Sequence, residues 1–308
     1  MKIVTFTPNP AIDGFARADE IAPGRISRLS EERSFPGGKG VNVSRTVLAF
    51  GGRTSCLAAE GGLAGQELLG LLRRFGVPFS AYRTACETRR NFIFEDGQGR
   101  RYKMNSPGGR VDPEEQAKMA EWAMLHCARG DAFHTGGSLL EGMTAGFYER
   151  VSRLAEEKGL HLALDPAAVH ERDCLSLRCR FLKANLLEIA GVLGKEAPTL
   201  EDALESGILR SVPERETIVS GGAEGAVLLH EGRAYRNFLK KRAEGLQCGC
   251  GDSLFAVYVM RRMAGDSPAR AFNAAGAAGL ACAFSDPYVL ASPETAKRML
   301  VHVETKEV

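Results

Sequence analysis

The 308 residues carry 40 Lys and Arg against 38 Asp and Glu, a formal charge of +2, with 44% hydrophobic and 25% charged residues. That balance describes a globular chain of one large α/β domain or two modest ones, and it excludes a nucleic-acid or membrane partner recognised by bulk charge. The 8 cysteines include no C-x-x-C pair, which excludes a disulfide-dense domain and points to reduced thiols in a cytoplasmic protein.

Lys2 to Thr7 reads as a buried first strand, too short for a signal-peptide core. Thr7-Pro8-Asn9-Pro10-Ala11-Ile12-Asp13 follows at once, and ligands in open parallel sheets sit at the carboxyl ends of the strands. Asp13 is therefore placed either to hold the hydroxyls of a polyol or to cap a turn. Ile12 to Arg33 has no helical period and reads as short, half-exposed strands around a Pro23-Gly24 turn. Pro36-Gly37-Gly38-Lys39-Gly40-Val41-Asn42 opens a helix that runs to Phe50. Its glycines admit close backbone approach, and Lys39 and Asn42 supply donors; the spacing is neither that of a Walker A loop nor that of a dinucleotide fingerprint.

A strand at Thr54–Ala59 and a helix at Gly65–Phe75 come next, and Asn91–Glu95 and Arg100–Met104 form a hairpin. Short strands at 131–134, 160–164, 181–183 and 217–219 then alternate with helices near 113–129, 145–158 and 186–193. This rhythm predicts a mostly parallel sheet covered by helices on both faces. The whole chain, 1–308, reads as one domain with a small β-sheet lid from about 12–33 and 89–105.

The Ala271–Phe284 stretch is too short to cross a bilayer. Before it, Gly249-Cys250-Gly251-Asp252-Ser253 opens a helix whose Phe255, Val259 and Met263 give the apolar spacing. Free N–H groups at such a start attract an anion. A carboxylate beside a phosphate cradle suits a proton acceptor, or else a residue that merely favours the helix dipole.

Together these segments resemble the ribokinase/PfkB family of sugar kinases, in particular its phosphosugar branch of 1-phosphofructokinases and tagatose-6-phosphate kinases. Thr7 to Asp13 looks like the T-x-N-P-A-x-D opening, and Pro36 to Val43 like P-G-G-K-G-x-N-V. Thr88-Arg89 resembles the T-R pair, Asn185-Leu186-Leu187-Glu188 the N-x-x-E, and Gly249 to Asp252 the G-A-G-D. The resemblance implies a ribokinase-like fold and a cytoplasmic kinase that uses ATP and Mg²⁺ on a phosphosugar and dimerises through its lid.

By the same resemblance Asp252 is the base, and Gly249, Cys250 and Gly251 form the anion hole. Asp13, Gly38, Lys39 and Asn42 hold the sugar, while Arg89, Lys103 and Ser138 meet the substrate and its phosphate. Asn185 and Glu188 organise Mg²⁺ through water. Ser220, Gly222, Gly225 and Asn273 meet the nucleotide. Arg90 falls on the opposite strand face and reads as a solvated charge.

Gln247, Cys248, Cys250 and Val257 depart from the family pattern. Their bulk raises the alternative of a catalytically weak sugar-phosphate-binding regulator, against which Asp252 and the complete N-x-x-E stand. Asn105-Ser106-Pro107-Gly108 favours fructose 1-phosphate as substrate, with tagatose 6-phosphate and fructose 6-phosphate as alternatives.

Overall fold

The computed structural model describes residues 2–167, 177–210, 212, 214–243 and 248–308. Gln247, one of the departures above, lies outside them.

The chain builds β1 (Ile3–Thr7), β2 (Ala11–Ala18), β3 (Leu29–Gly37), α1 (Lys39–Ala49), β4 (Thr54–Glu60), α2 (Gly62–Arg74) and β5 (Phe79–Arg83). Next come β6 (Arg89–Glu95), β7 (Arg101–Asn105), α3 (Pro113–Leu125), β8 (Ala132–Gly137), α4 (Gly146–Lys158) and β9 (His161–Pro166). Then follow β10 (Phe181–Asn185), α5 (Leu186–Leu193), α6 (Leu200–Glu205), β11 (Glu216–Ser220), β12 (Ala226–His230) and β13 (Arg233–Leu239). The remaining elements are α7 (Cys250–Met263), α8 (Pro268–Ala283), α9 (Pro293–Met299) and β14 (Val303–Glu307).

The main sheet has the order β14-β13-β12-β11-β10-β9-β8-β1-β4-β5. It is parallel from β5 to β11, then antiparallel through β12, β13 and β14. Successive residues of a strand point to opposite faces, and here both faces are apolar. Val4, Phe6, Phe133 and Leu182 pack under α3, α4 and α5 with Met119, Phe147 and Ile189. Their neighbours Ile3, Ala132 and Phe181 pack under α1, α7 and α8 with Val47, Phe255 and Phe272. The α/β architecture predicted from the alternation is therefore the observed one. Among the described residues, no helix is long and apolar enough to cross a membrane.

Two insertions make the second sheet, ordered β3-β2-β6-β7. β2 and β3 leave the body after β1, β6 and β7 after β5, and the parallel β2–β6 pairing joins them. The half-exposed short strands expected over Ile12–Arg33 are in fact an eight-residue β2, buried along nearly its whole length, and a nine-residue β3. The sequence looked half-exposed because Arg17 belongs to β2; its guanidinium is satisfied by Glu31 and Glu95 on the flanking strands.

Register puts Asp13, Phe15, Phe35, Arg89, Asn91, Ile93 and Lys103 on one face of this sheet. Phe15, Phe35 and Ile93 pack there against Cys248 and Tyr288 of the body. Arg90 points the other way and pairs with Glu67 of α2, as expected of a solvated charge.

Candidate active site

β1, β8, β9, β10 and β11 run parallel, so their carboxyl ends open on one edge of the sheet. Asn9, just past β1, fixes the floor. Its Nδ2 donates to the carbonyls of Pro107 (2.9 Å) and Leu139 (3.1 Å) and reaches Ser138 Oγ at 3.5 Å. That one amide ties the segment after the lid hairpin to the segment after β8.

Asp13 is 5% exposed and accepts a hydrogen bond from Asn91 Nδ2 at 2.8 Å. A Cβ at Gly37 would lie 2.1 Å from Asp13 Oδ2, so only glycine lets the carboxylate occupy this position. Burial pushes the Asp13 carboxyl up to about 6, against the Asn91 hydrogen bond and the cations Lys103, Arg89 and Arg45.

A carboxyl held above its unfolded value of 3.8 contributes stability at low pH that is lost as pH rises through about 6. The cost of ionising it in place is about 3 kcal/mol above that pH. Asp13→Asn is therefore expected to raise Tm by several degrees at pH 8, with the gain vanishing toward pH 4. Thermal melts across that range check it, and a gain that grew on acidification would contradict it.

Arg89 is half-buried, donates from Nη1 to the Ser106 carbonyl (3.0 Å), and leaves its buried Nε without a partner. Burial lowers its pKa, which Asp13 partly offsets. Lys103, opposite Ile93 on β7, is exposed.

Lys39 and Asn42, expected at the sugar, are each bound to other groups of the protein. Lys39 Nζ is bound by Asp165 Oδ1 (2.6 Å) and Glu188 Oε1 (2.8 Å). Burial alone would lower the lysine's pKa, but Asp165, Glu188 and Asp252 together raise it. The reason is position. Lys39 is the first residue of α1, and Gly38 at φ +111° turns the chain so that this turn points at the ends of β9 and β10. Asn42, one turn on, donates from Nδ2 to Asp252 Oδ2 at 2.8 Å.

Asp252 itself lies in the first turn of α7 and is 8% exposed. Gly249 caps that helix at φ +81° with no side-chain cap bond. The amides of Cys250, Gly251 and Asp252 thus precede the first intrahelical donor, Ser253, whose N–H bonds the Gly249 carbonyl. Burial and the neighbouring Asp165 raise the Asp252 pKa, while Lys183, Lys39 and the Asn42 bond restrain it.

Sequence reasoning missed Lys183 and Asp165. Lys183 is buried, within 3.2 Å of both Asp165 oxygens. Its Nζ would meet a Cβ at Gly251 at 2.9 Å, so a cation sits directly beneath the helix start. The signal was available: a charged residue inside an otherwise apolar strand, as in Leu162-Ala163-Leu164-Asp165 and Phe181-Leu182-Lys183-Ala184.

Beside the helix start lies a cavity of about 360 Å³ lined by Ser220, Gly222, Gly225, Cys250, Gly251, Gly276 and Gly279, with apolar walls from Leu239, Leu254 and Leu280. Asn273 is not among its lining residues; the face of α8 that turns to it carries small residues instead. The bulk at Val257 is absorbed by packing against Ala278, Ala281 and Cys282, whereas Cys250 packs partly on the same cluster and also lines the cavity. Cysteines among the described residues are all free.

A family model described as pfkB family carbohydrate kinase matches residues 10–288, from the segment before Asp13 to beyond Asp252. The chain belongs to the pfkB family of carbohydrate kinases. An ATP-dependent 6-phosphofructokinase isozyme 2 of Mycobacterium tuberculosis is 30% identical over 91% of this chain and 84% of that protein. A D-tagatose-1-phosphate kinase of Bacillus licheniformis is 28% identical, over 92% and 93%. The crystal structure of phosphofructokinase-2 from Escherichia coli in complex with potassium superposes with a TM-score of 0.89 at 22% identity, covering 97% of this chain and 98% of that one.

This pfkB kinase is thus a phosphotransferase acting on a sugar hydroxyl, with ATP as donor and Mg²⁺ as cofactor. Its donor set fits a hydrated magnesium ion. Asn185 and Glu188 form a reciprocal cap at the start of α5, with Glu188 Oε2 on the Asn185 N–H (2.8 Å) and Asn185 Oδ1 on the Glu188 N–H (2.9 Å). No cluster of three ligating side chains occurs among the described residues. With Glu188 Oε2 on the Asn185 N–H and Oε1 on the Lys39 ammonium, these hard oxygens would reach the ion through water rather than directly.

Proposed function

We propose that this enzyme transfers the γ-phosphate of ATP to the 6-hydroxyl of fructose 1-phosphate, giving fructose 1,6-bisphosphate and ADP. The observation that carries the reading is Asp252, a buried carboxylate at the opening of α7, beside free amides and the adjoining cavity.

In this reading Asp13 accepts hydrogen bonds from two sugar hydroxyls, with Ser138 and the backbone at Gly38 closing the pocket. Arg89 grips the phosphate already on the substrate through two donors, a geometry lysine cannot match, and Lys103 adds a second cation. The nucleotide lies along Ser220, Gly222 and Gly225. Asp252 takes the proton of the free primary hydroxyl as its oxygen attacks the γ-phosphorus and ADP leaves. The amides of Cys250 and Gly251, with Lys39 and Lys183, stabilise the charge developing on the transferring group. Glu188 and Asn185 would hold Mg²⁺ through water, which neutralises charge on the phosphates. The small sheet acts as a lid that excludes water from the sugar.

Support for a 1-phosphate comes from Asn105-Ser106-Pro107-Gly108, pinned between Arg89 and Asn9, and from the name of the Bacillus licheniformis relative. Fructose 6-phosphate is the second reading, favoured by the name of the Mycobacterium tuberculosis relative. A coupled ADP-release assay over fructose 1-phosphate, fructose 6-phosphate, tagatose 1-phosphate and tagatose 6-phosphate separates them. The kcat/KM for fructose 1-phosphate is expected to exceed that for fructose 6-phosphate by about tenfold or more, a discrimination that a single charged contact supplies. The reverse order overturns the assignment.

The outer face of the lid exposes Phe92, Tyr102 and Met104, and we infer a homodimer that covers them. Light scattering of the purified protein at micromolar concentration is expected to give the mass of two chains, and a one-chain mass would exclude it.

A further inference from the structure

Arg45 lies one turn beyond Asn42 on α1, and apart from its charge near Asp13 nothing above gives it a part. Its half-buried guanidinium bonds three separate pieces of the molecule. Nη1 donates to Asn42 Oδ1 and to the carbonyl of Pro36, each at 3.2 Å, and Nη2 donates to the carbonyl of Tyr288 at 3.0 Å. The ring faces of Phe75 and Phe35 flank it, with centroids at 4.9 and 5.9 Å. Pro36 belongs to lid strand β3, and Tyr288 to the segment that follows α8.

The contact with Asn42 has a directional consequence. An amide carries one acceptor oxygen and one donor NH₂. With Arg45 on Oδ1, the NH₂ is the end that meets Asp252, at 2.8 Å. A reversed amide would set its oxygen against the carboxylate and its NH₂ against the guanidinium, two repulsive contacts in place of two bonds. Arg45 therefore fixes which way Asn42 faces, and Asn42 holds Asp252 by Oδ2.

Other charged and titratable groups surround Asp252: Asp165 from β9, Lys183 from β10, Lys39 from α1, and the thiols of Cys248, Cys250 and Cys282. Arg45 is also within electrostatic reach of both Asp252 and Asp13. Burial pulls its own pKa down to about 10, which leaves it charged at neutral pH.

We propose that Arg45 is a positioning residue for phosphoryl transfer: it holds the Asn42 amide that orients Asp252, and through the Pro36 carbonyl it couples that orientation to the lid strand. This rests on Asp252 being the base.

The test is a double-mutant cycle read in kcat, with sugar-phosphate Kd from calorimetry and the pH profile of kcat. Arg45→Met is expected to lower kcat by about tenfold or more with Kd changed less than about threefold, and to raise the acid limb of kcat by about half a pH unit. In an Asn42→Ala background the same change should cost less than about threefold, since the amide route to the base is gone and only the charge of Arg45 still reaches it. Arg45→Lys, which keeps the charge and loses the fork, should restore the acid limb but not most of kcat; it also carries the cycle if the Met variant does not fold. Additive losses in the cycle, or a fall in kcat with the acid limb unmoved, overturn the proposal. An Asp252→Asn variant assayed alongside separates the two readings. Full kcat in that variant refutes the base itself, whereas a dead variant with an additive cycle refutes Arg45 alone.

Discussion

Asp252→Asn is expected to lower kcat by about two to four orders of magnitude while leaving the Kd for the sugar phosphate within about threefold. The asparagine keeps the acceptor that Asn42 Nδ2 meets at 2.8 Å, so the start of α7 keeps its geometry. What it loses is a site for the hydroxyl proton. Burial and Asp165 already hold the wild-type pKa above the usual carboxylate range, which makes Asp252 a better proton acceptor than a surface aspartate. Lys183, Lys39 and the Asn42 bond restrain that rise. Single-turnover phosphoryl transfer with calorimetric Kd is the measurement. A kcat within a few-fold of wild type would remove Asp252 from the chemistry.

Arg89→Ala is expected to cut kcat/KM for the phosphosugar by about ten- to a hundredfold and to change kcat/KM for the bare ketohexose only a few-fold. A charge-assisted contact to phosphate contributes about 1.5–3 kcal/mol, which sets that range. The structure isolates the effect. Among the described residues Arg89 donates once, from Nη1 to the Ser106 carbonyl, and its buried Nε has no partner, which leaves donors of the fork uncommitted. Ser106 Oγ independently holds the carbonyl of Arg90 at 2.6 Å, which keeps the hairpin end in place without Arg89. Steady-state kinetics with fructose 1-phosphate and fructose, run in parallel, decide it. Equal losses on both substrates would assign Arg89 to the lid's structure instead.

Candidate residues near the ends of strands and helices were legible in the chain. Asp13 stands early in β2, a few residues past β1, and Asp252 stands between glycines and an apolar helical spacing, so sequence alone singled out both carboxylates, and both are buried. Arg90 was assigned correctly by strand alternation. Partners across the sheet were not legible, because they depend on how distant elements dock. Lys39 was assigned to the sugar, yet the turn at Gly38 delivers it to Asp165 and Glu188. Asn42 was assigned there too, and its partner lies 210 residues away.

Asn273 was chosen because it is the polar residue on an Ala/Gly-rich helix. The cavity instead takes the face bearing Gly276 and Gly279, whose missing side chains provide the room. The antiparallel strands β12, β13 and β14 escaped notice because they are short and lie beyond the parallel βα rhythm.

The span between Asn42 and Asp252 also orders events during synthesis. The part of the pocket that includes Asp13, Gly38 and Asn42 emerges from the ribosome first. At about 5–20 residues per second, Asn42 waits on the order of 10–40 seconds for its carboxylate partner. The cavity wall waits longer still, because Asn237 on β13 accepts from Thr305 Oγ1 of β14 at 2.5 Å. A nascent chain thus carries Asp13, Gly38 and Asn42 before it carries Asp252 or the strand that closes against Asn237.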